Sequence, residues 1–156
     1  MVMTELAPLT QTEVRTFVTE WFRGLNDHQP LETVLSRLLP NSLVKYPEAE
    51  LRGHDAFADW YRNTVLACYF DQTHEVQAIE IKLSPDGSQA DLQLVVHWEA
   101  KTWESPAAFS TWLGYYSTHL WVVKRSPQTF KPAIESHIVH LITPMEGSAG
   151  ISGANT

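Results

Sequence analysis

The sequence predicts one α+β domain, and three observations predict it. Apolar residues recur at helical spacing through the N-terminal part, up to Cys68. From His74 onward apolar and polar residues alternate in four long runs, the period of half-buried strands. No internal repeat or linker divides the chain, so helices and strands must bury their apolar sides on one another.

The elements follow in order. Residues 1–9 carry no pattern and are expected to be a loose start. Thr10-Gln11-Thr12-Glu13 has the form of a capping box, in which two side chains satisfy free N–H groups and open a helix. Val14, Phe17, Val18, Trp21, Phe22 and Leu25 form its stripe; Gly24, Asn26 and Asp27 break it. A second helix is predicted over Pro30–Leu39, because Pro30 suits a first turn and Pro40 stops it. Ser42–Tyr46 reads as a short strand closed by Pro47. A third helix, about His54–Cys68, follows Gly53 with the stripe Phe57, Trp60, Tyr61, Thr64, Val65 and Cys68.

The strands are placed at about His74–Leu83, Ala90–Trp103, Trp112–Lys124 and Lys131–Ile142. Pro85-Asp86-Gly87 and Ser126-Pro127-Gln128 supply turns. Pro144 ends the pattern, and residues 144–156 are expected to be a flexible Gly/Ser-rich tail. The domain proper therefore spans residues 10–143.

Composition narrows the function classes. The chain has 156 residues, one cysteine and a net charge of -7. That charge disfavours nucleic acid and anionic membrane surfaces as partners. One cysteine excludes an internal disulfide. No apolar run approaches the roughly 20 residues of a membrane helix, and the N-terminus lacks a signal-peptide pattern. The expectation is a cytoplasmic protein. Six tryptophans, five tyrosines and six phenylalanines are a large aromatic supply for such a length. Core, pocket and subunit interface all remain open as its use.

The order helix–helix–short strand–helix–long meander resembles the nuclear transport factor 2-like superfamily, in its SnoaL-like and ketosteroid-isomerase-like branch. The most telling residues are Leu43-Val44-Lys45-Tyr46-Pro47, then Leu51-Arg52-Gly53-His54-Asp55-Ala56-Phe57-Ala58-Asp59-Trp60-Tyr61, with Ala133-Ile134-Glu135-Ser136-His137 similar to the closing strand. The resemblance implies a cone, in which three N-terminal helices pack on a strongly curved, mostly antiparallel sheet around a hydrophobic pocket. It also implies a homodimer, a small hydrophobic ligand and no cofactor. The fold hosts isomerases, dehydratases, cyclases and non-enzymes, so it does not fix the chemistry.

Ketosteroid isomerase chemistry does not carry over. Tyr46 stands where the resemblance implies the carboxylate base, and Trp21 and Thr118 stand near the two oxyanion donors; only Tyr61 matches. A dehydratase or cyclase reading leaves Tyr46 and His140 as candidate acid–base residues. The alternative is a non-catalytic ligand-binding or dimerisation domain.

Strand parity assigns the remaining candidates. If even-numbered positions on all three C-terminal strands face the helices, the ligand-binding set is Trp21, Tyr46, Trp60, Tyr61, Trp98, Tyr116, Thr118 and Ser136. The odd face then carries Val95, His97, Tyr115, His119, Trp121 and His137 and is predicted as the dimer interface, with Trp121 its anchor. Symmetric hairpins would line up His97, His119 and His137. A flat row diverges, so no metal is expected there. Protonation of these histidines is expected to loosen the dimer below about pH 6.

Overall fold

A computed structural model describes residues 6–150. Helix α1 spans Gln11–Asn26, and Thr10 Oγ1 accepts from the Glu13 N–H at 3.1 Å, as the capping box requires. Its stripe is buried throughout. Helix α2 is short, Leu31–Leu35. The expected continuation to Leu39 is overridden by sheet pairing. Leu38 already lies beside Ile134, whose N–H bonds Arg37 O at 2.8 Å, and Pro40 disfavours helical backbone at the residue before it.

Strand β1 (Leu38–Tyr46) turns at Pro47-Glu48 into β2 (Ala49–Arg52), a strand the sequence pattern did not reveal. Gly53, at φ 82°, joins β2 to α3 (Gly53–Trp60) with no intervening loop, a backbone region that favours glycine. The helix continues as a π-helical turn (Tyr61–Val65) and ends in α4 (Leu66–Cys68). Cys68, expected in the core, is exposed there.

The long strands are β3 (Phe70–Leu83), β4 (Gln89–Thr102), β5 (Thr111–Arg125) and β6 (Pro132–Pro144). The six strands form one sheet in the order β2-β1-β6-β5-β4-β3, antiparallel except where β1 pairs with β6. Register shifts between Val76 and Ala78, Thr118 and His119, and Val122 and Val123 bend the strands around the helices. The result is the α+β cone that the helix–meander order implies.

The register between β4 and β5 corrects the parity assignment. His97 lies opposite Tyr116 and Leu94 opposite His119, so even positions of β4 share a face with odd positions of β5. Tyr115, His119, Trp121 and His137 are therefore buried within the single chain, between 1% and 4% exposed, and are no part of an outer interface. Trp121 is instead the hub of the core, with its ring 5.6 Å from Phe22, 6.4 Å from Trp21 and 6.5 Å from Phe17. The outer face carries Val95, His97, Tyr116, Thr118, Leu120 and Val122. Arg125 clamps the end of β5 to α1. Its guanidinium, almost enclosed, donates to both Glu13 carboxylate oxygens, at 2.6 and 2.9 Å.

Candidate functional site

Between the helices and the inner sheet face lies a cavity of about 70 Å³, room for a small molecule or several waters. Four parts of the chain meet at it: the end of α1, the β1–β2 turn, the stretch from α3 to β3, and the mouths of β4–β6.

His74, near the start of β3, pairs across the ladder with Trp98 of β4, and both line the cavity. Asn26, the last residue of α1, reaches the imidazole. Its Oδ1 accepts the Nδ1–H of His74 at 2.7 Å, and Phe22 stacks on the ring at 4.5 Å. An amide oxygen only accepts, so the proton is on Nδ1 and Nε2 carries the lone pair. Among the described residues Nε2 has no hydrogen-bond partner. Burial, helped by His119, holds the His74 pKa down at about 3, so the ring is neutral at ordinary pH.

His119 and His137 form a second, deeper unit. Ser117 Oγ donates to Val96 O at 3.3 Å and lies 2.8 Å from His119 Nε2. His119 Nδ1 lies 2.9 Å from His137 Nε2. With the Ser117 proton on Val96, the chain runs one way: His119 donates to Ser117, and His137 donates to His119. His137 Nδ1 is left as a buried lone pair without a partner. Trp121 and Tyr46 enclose this ring, at 4.6 and 5.4 Å. Burial lowers the His119 pKa to about 3 and holds His137 well below the usual imidazole range.

The opposite wall is aromatic. Tyr46 stacks on Trp60 at 4.6 Å, and Tyr69 meets Trp98 edge-on at 5.3 Å. The Tyr46 hydroxyl is buried without a partner. Burial, with Glu48 and Tyr69 adding to it, keeps it protonated across all ordinary pH, so it can only serve as a hydrogen-bond donor or acceptor. Tyr69 is held protonated in the same way. Glu48, in the β1–β2 turn, has an enclosed Oε2 without a partner. Burial raises its carboxyl pKa, opposed by its own N–H and by the Trp60 indole.

Of the residues expected to bind ligand, Tyr46, Trp60 and Trp98 line the cavity. Trp21 and Tyr61 lie behind the wall, Trp21 packed on Phe57 at 5.6 Å and Tyr61 donating its hydroxyl proton to Gln29 O. Tyr116, Thr118 and Ser136 face outward, a consequence of the register described above. His140 falls at the register shift between Thr118 and His119, is exposed, and is removed from the cavity. Tyr115 and His119, expected at an interface, line the cavity instead. His97, on the outer face against Tyr116 at 4.4 Å, does not join the other two histidines. Among the described residues no group of three ligating side chains is placed to hold a metal ion. Sequence reasoning missed His74, Asn26 and Glu48. The available signal was the pair His74 and Asn26, a polar residue ending each of two elements that converge.

No protein-family model matches the sequence, and no curated protein matches it. Solved structures match it in shape. A candidate scytalone dehydratase from Novosphingobium aromaticivorans superposes with a TM-score of 0.71 at 12% identity, covering 93% of each chain. A hexachlorocyclohexane dehydrochlorinase, LinA-type3, from Novosphingobium barchaimii gives 0.68 at 10% identity, covering 90% of this chain and 93% of the other. A nuclear transport factor 2-like superfamily protein from Salmonella enterica serovar Typhimurium gives 0.67 at 15%, covering 89% and 91%. What these proteins share with the chain is the fold.

Proposed function

From the nuclear transport factor 2-like fold that the chain has, we propose that it is a cofactor-independent lyase, of the dehydratase type, acting on a small, largely apolar molecule. The observation that carries this reading is His74, whose Nδ1–H is fixed by Asn26 while Nε2 stands free at an aromatic cavity. A neutral imidazole held in one tautomer is a general base. On a β-hydroxy carbonyl compound, Nε2 takes the proton from the carbon beside the carbonyl. The electron pair left behind forms the C=C bond, and the C–O bond breaks. The proton held on Nε2 passes to the leaving hydroxyl, which departs as water and returns the imidazole to its starting state. A depressed pKa favours that return. Tyr46, held as O–H, is the candidate donor to the carbonyl oxygen, and so acts by hydrogen bonding and not as a base.

The fold neighbours support elimination chemistry, since two of them bear the names of a dehydratase and a dehydrochlorinase. The test is a panel of cyclic and aryl β-hydroxy ketones, followed by the absorbance of the enone formed. Turnover by the native protein, reduced at least 100-fold in His74→Gln with unchanged circular dichroism, is expected. Equal turnover by the variant would remove His74 from the mechanism. A second reading, a binding module without chemistry, rests on the same depressed His74 pKa, which makes a weak base; binding of panel members without turnover would favour it.

The chain is further proposed to form a homodimer through the outer sheet face. Tyr116 and Leu120 are 43% and 41% exposed there, with Val95 and Val122 beside them on the paired strands. No helix among the described residues is long and apolar enough to cross a membrane. A cytoplasmic setting remains part of the proposal.

A further inference from the structure

Among the described residues Glu48 has no counter-charge. The ion pairs of the described chain join Arg52 to Glu50, Arg62 to Asp59, Lys101 to Asp71, Lys124 to Glu135 and Arg125 to Glu13, and none reaches the β1–β2 turn. No lysine or arginine lines the cavity, and His74 and His119 at its wall are neutral. An enclosed carboxylate oxygen without a counter-charge is costly, and proteins retain such a group where something else completes it.

The surroundings state what would complete it. The carboxylate lies among aromatic rings: the stacked pair Tyr46 and Trp60, and the edge-on pair Tyr69 and Trp98, with Tyr115 beyond at 6.0 Å from Trp98. An inorganic cation needs several converging ligands, and among the described residues no group of three histidine, cysteine or carboxylate side chains is placed to hold one; besides Glu48 the wall offers amide and hydroxyl oxygens, Gln72 Oε1 among them. Aromatic faces instead replace the hydration of an organic cation whose charge is spread over alkyl groups. Tyr46 Oη, buried and without a partner, is a free donor for an oxygen on the same molecule.

We propose that the cavity takes a ligand bearing a substituted ammonium group, held between the Glu48 carboxylate and the aromatic wall of Trp60, Tyr46 and Trp98. The proposal deepens the reading of this cavity as the substrate site, by adding a cationic nitrogen to the substrate class. It does not depend on any turnover.

The test compares choline with its uncharged isostere 3,3-dimethyl-1-butanol, at constant ionic strength, by tryptophan fluorescence and thermal unfolding. The native protein is expected to bind choline at least tenfold more tightly than the isostere. Glu48→Gln is expected to lose that preference and to bind both alike. Its thermal midpoint without ligand should equal or exceed that of the native protein, since an unpaired buried charge has been removed. Trp60→Leu should weaken choline by a similar factor. Equal binding of choline and isostere by the native protein, no binding of choline, or an undiminished preference in Glu48→Gln would each overturn the proposal. None of those results touches His74, so elimination activity lost in His74→Gln would stand apart from them.

Discussion

His74 is useful because one neighbour fixes its chemistry. The Oδ1 of Asn26 takes the Nδ1 proton, and the stacked ring of Phe22 fixes the plane. An aspartate in the same place would stabilise the imidazolium; an amide fixes the tautomer without adding charge. The other two buried imidazoles differ in kind. His119 has both nitrogens engaged, with Ser117 and with His137, and so has no free lone pair. His137 keeps a free Nδ1 but is sealed beneath Tyr46, Trp21 and Trp121. In the proposed elimination base chemistry therefore falls to His74, while His119 and His137 are bonded to one another and to Ser117 within the inner wall.

At the scale of elements, the sheet presents two unlike faces. Its inner face is closed by α1 and α3, while Tyr116, Leu120 and, on β6, Leu141 remain on the outside. Light scattering of the native protein should give twice the 17.7 kDa chain mass, and Leu120→Glu should give a single-chain mass with unchanged circular dichroism. A native monomer at tens of micromolar would dispose of the dimer. The helices, the four long strands and their turns were legible in the sequence, because helical stripes and alternation are written residue by residue. The pairing of β4 with β5 was not. Both parities of β5 carry large apolar residues, Tyr116, Leu120 and Val122 on one side and Tyr115, Trp121 and Val123 on the other. Alternation therefore could not say which side faces in, and a three-residue difference in register reversed every assignment on that strand. Tyr46, Trp60 and Trp98 could be placed on the inner side because they precede a turn or sit on strongly patterned elements. Glu48 lies in a turn whose burial depends on the cavity above it, which no local pattern encodes.

For the whole molecule, the buried histidines govern behaviour in acid. In the unfolded chain each titrates near 6.5, whereas His74 and His119 are held at about 3 when folded and His137 is held low as well. Below about pH 6.5 the unfolded state binds protons that the folded state refuses. Stability is therefore full above that pH and falls as the pH drops toward 3, by up to about 1.4 kcal/mol per pH unit for each such histidine. Below about pH 4.5 Glu13, lowered by Arg125, adds to the loss; Glu48, raised by burial, opposes it only above that pH, where the folded state alone takes up its proton. Urea unfolding midpoints should hold near their pH 7.5 value down to about pH 6.5 and then decline increasingly through 6 to 5; midpoints that do not change would show that these imidazoles are not buried neutral. The proposed elimination turns on a single ring being neutral with its proton on the Asn26 side. Long-range ¹H–¹⁵N NMR of the imidazoles, read against His74→Gln for assignment, tests this most directly. At pH 7 a neutral His74 with a protonated Nδ1 and a bare Nε2 is expected. A proton on Nε2, or an imidazolium, would contradict it.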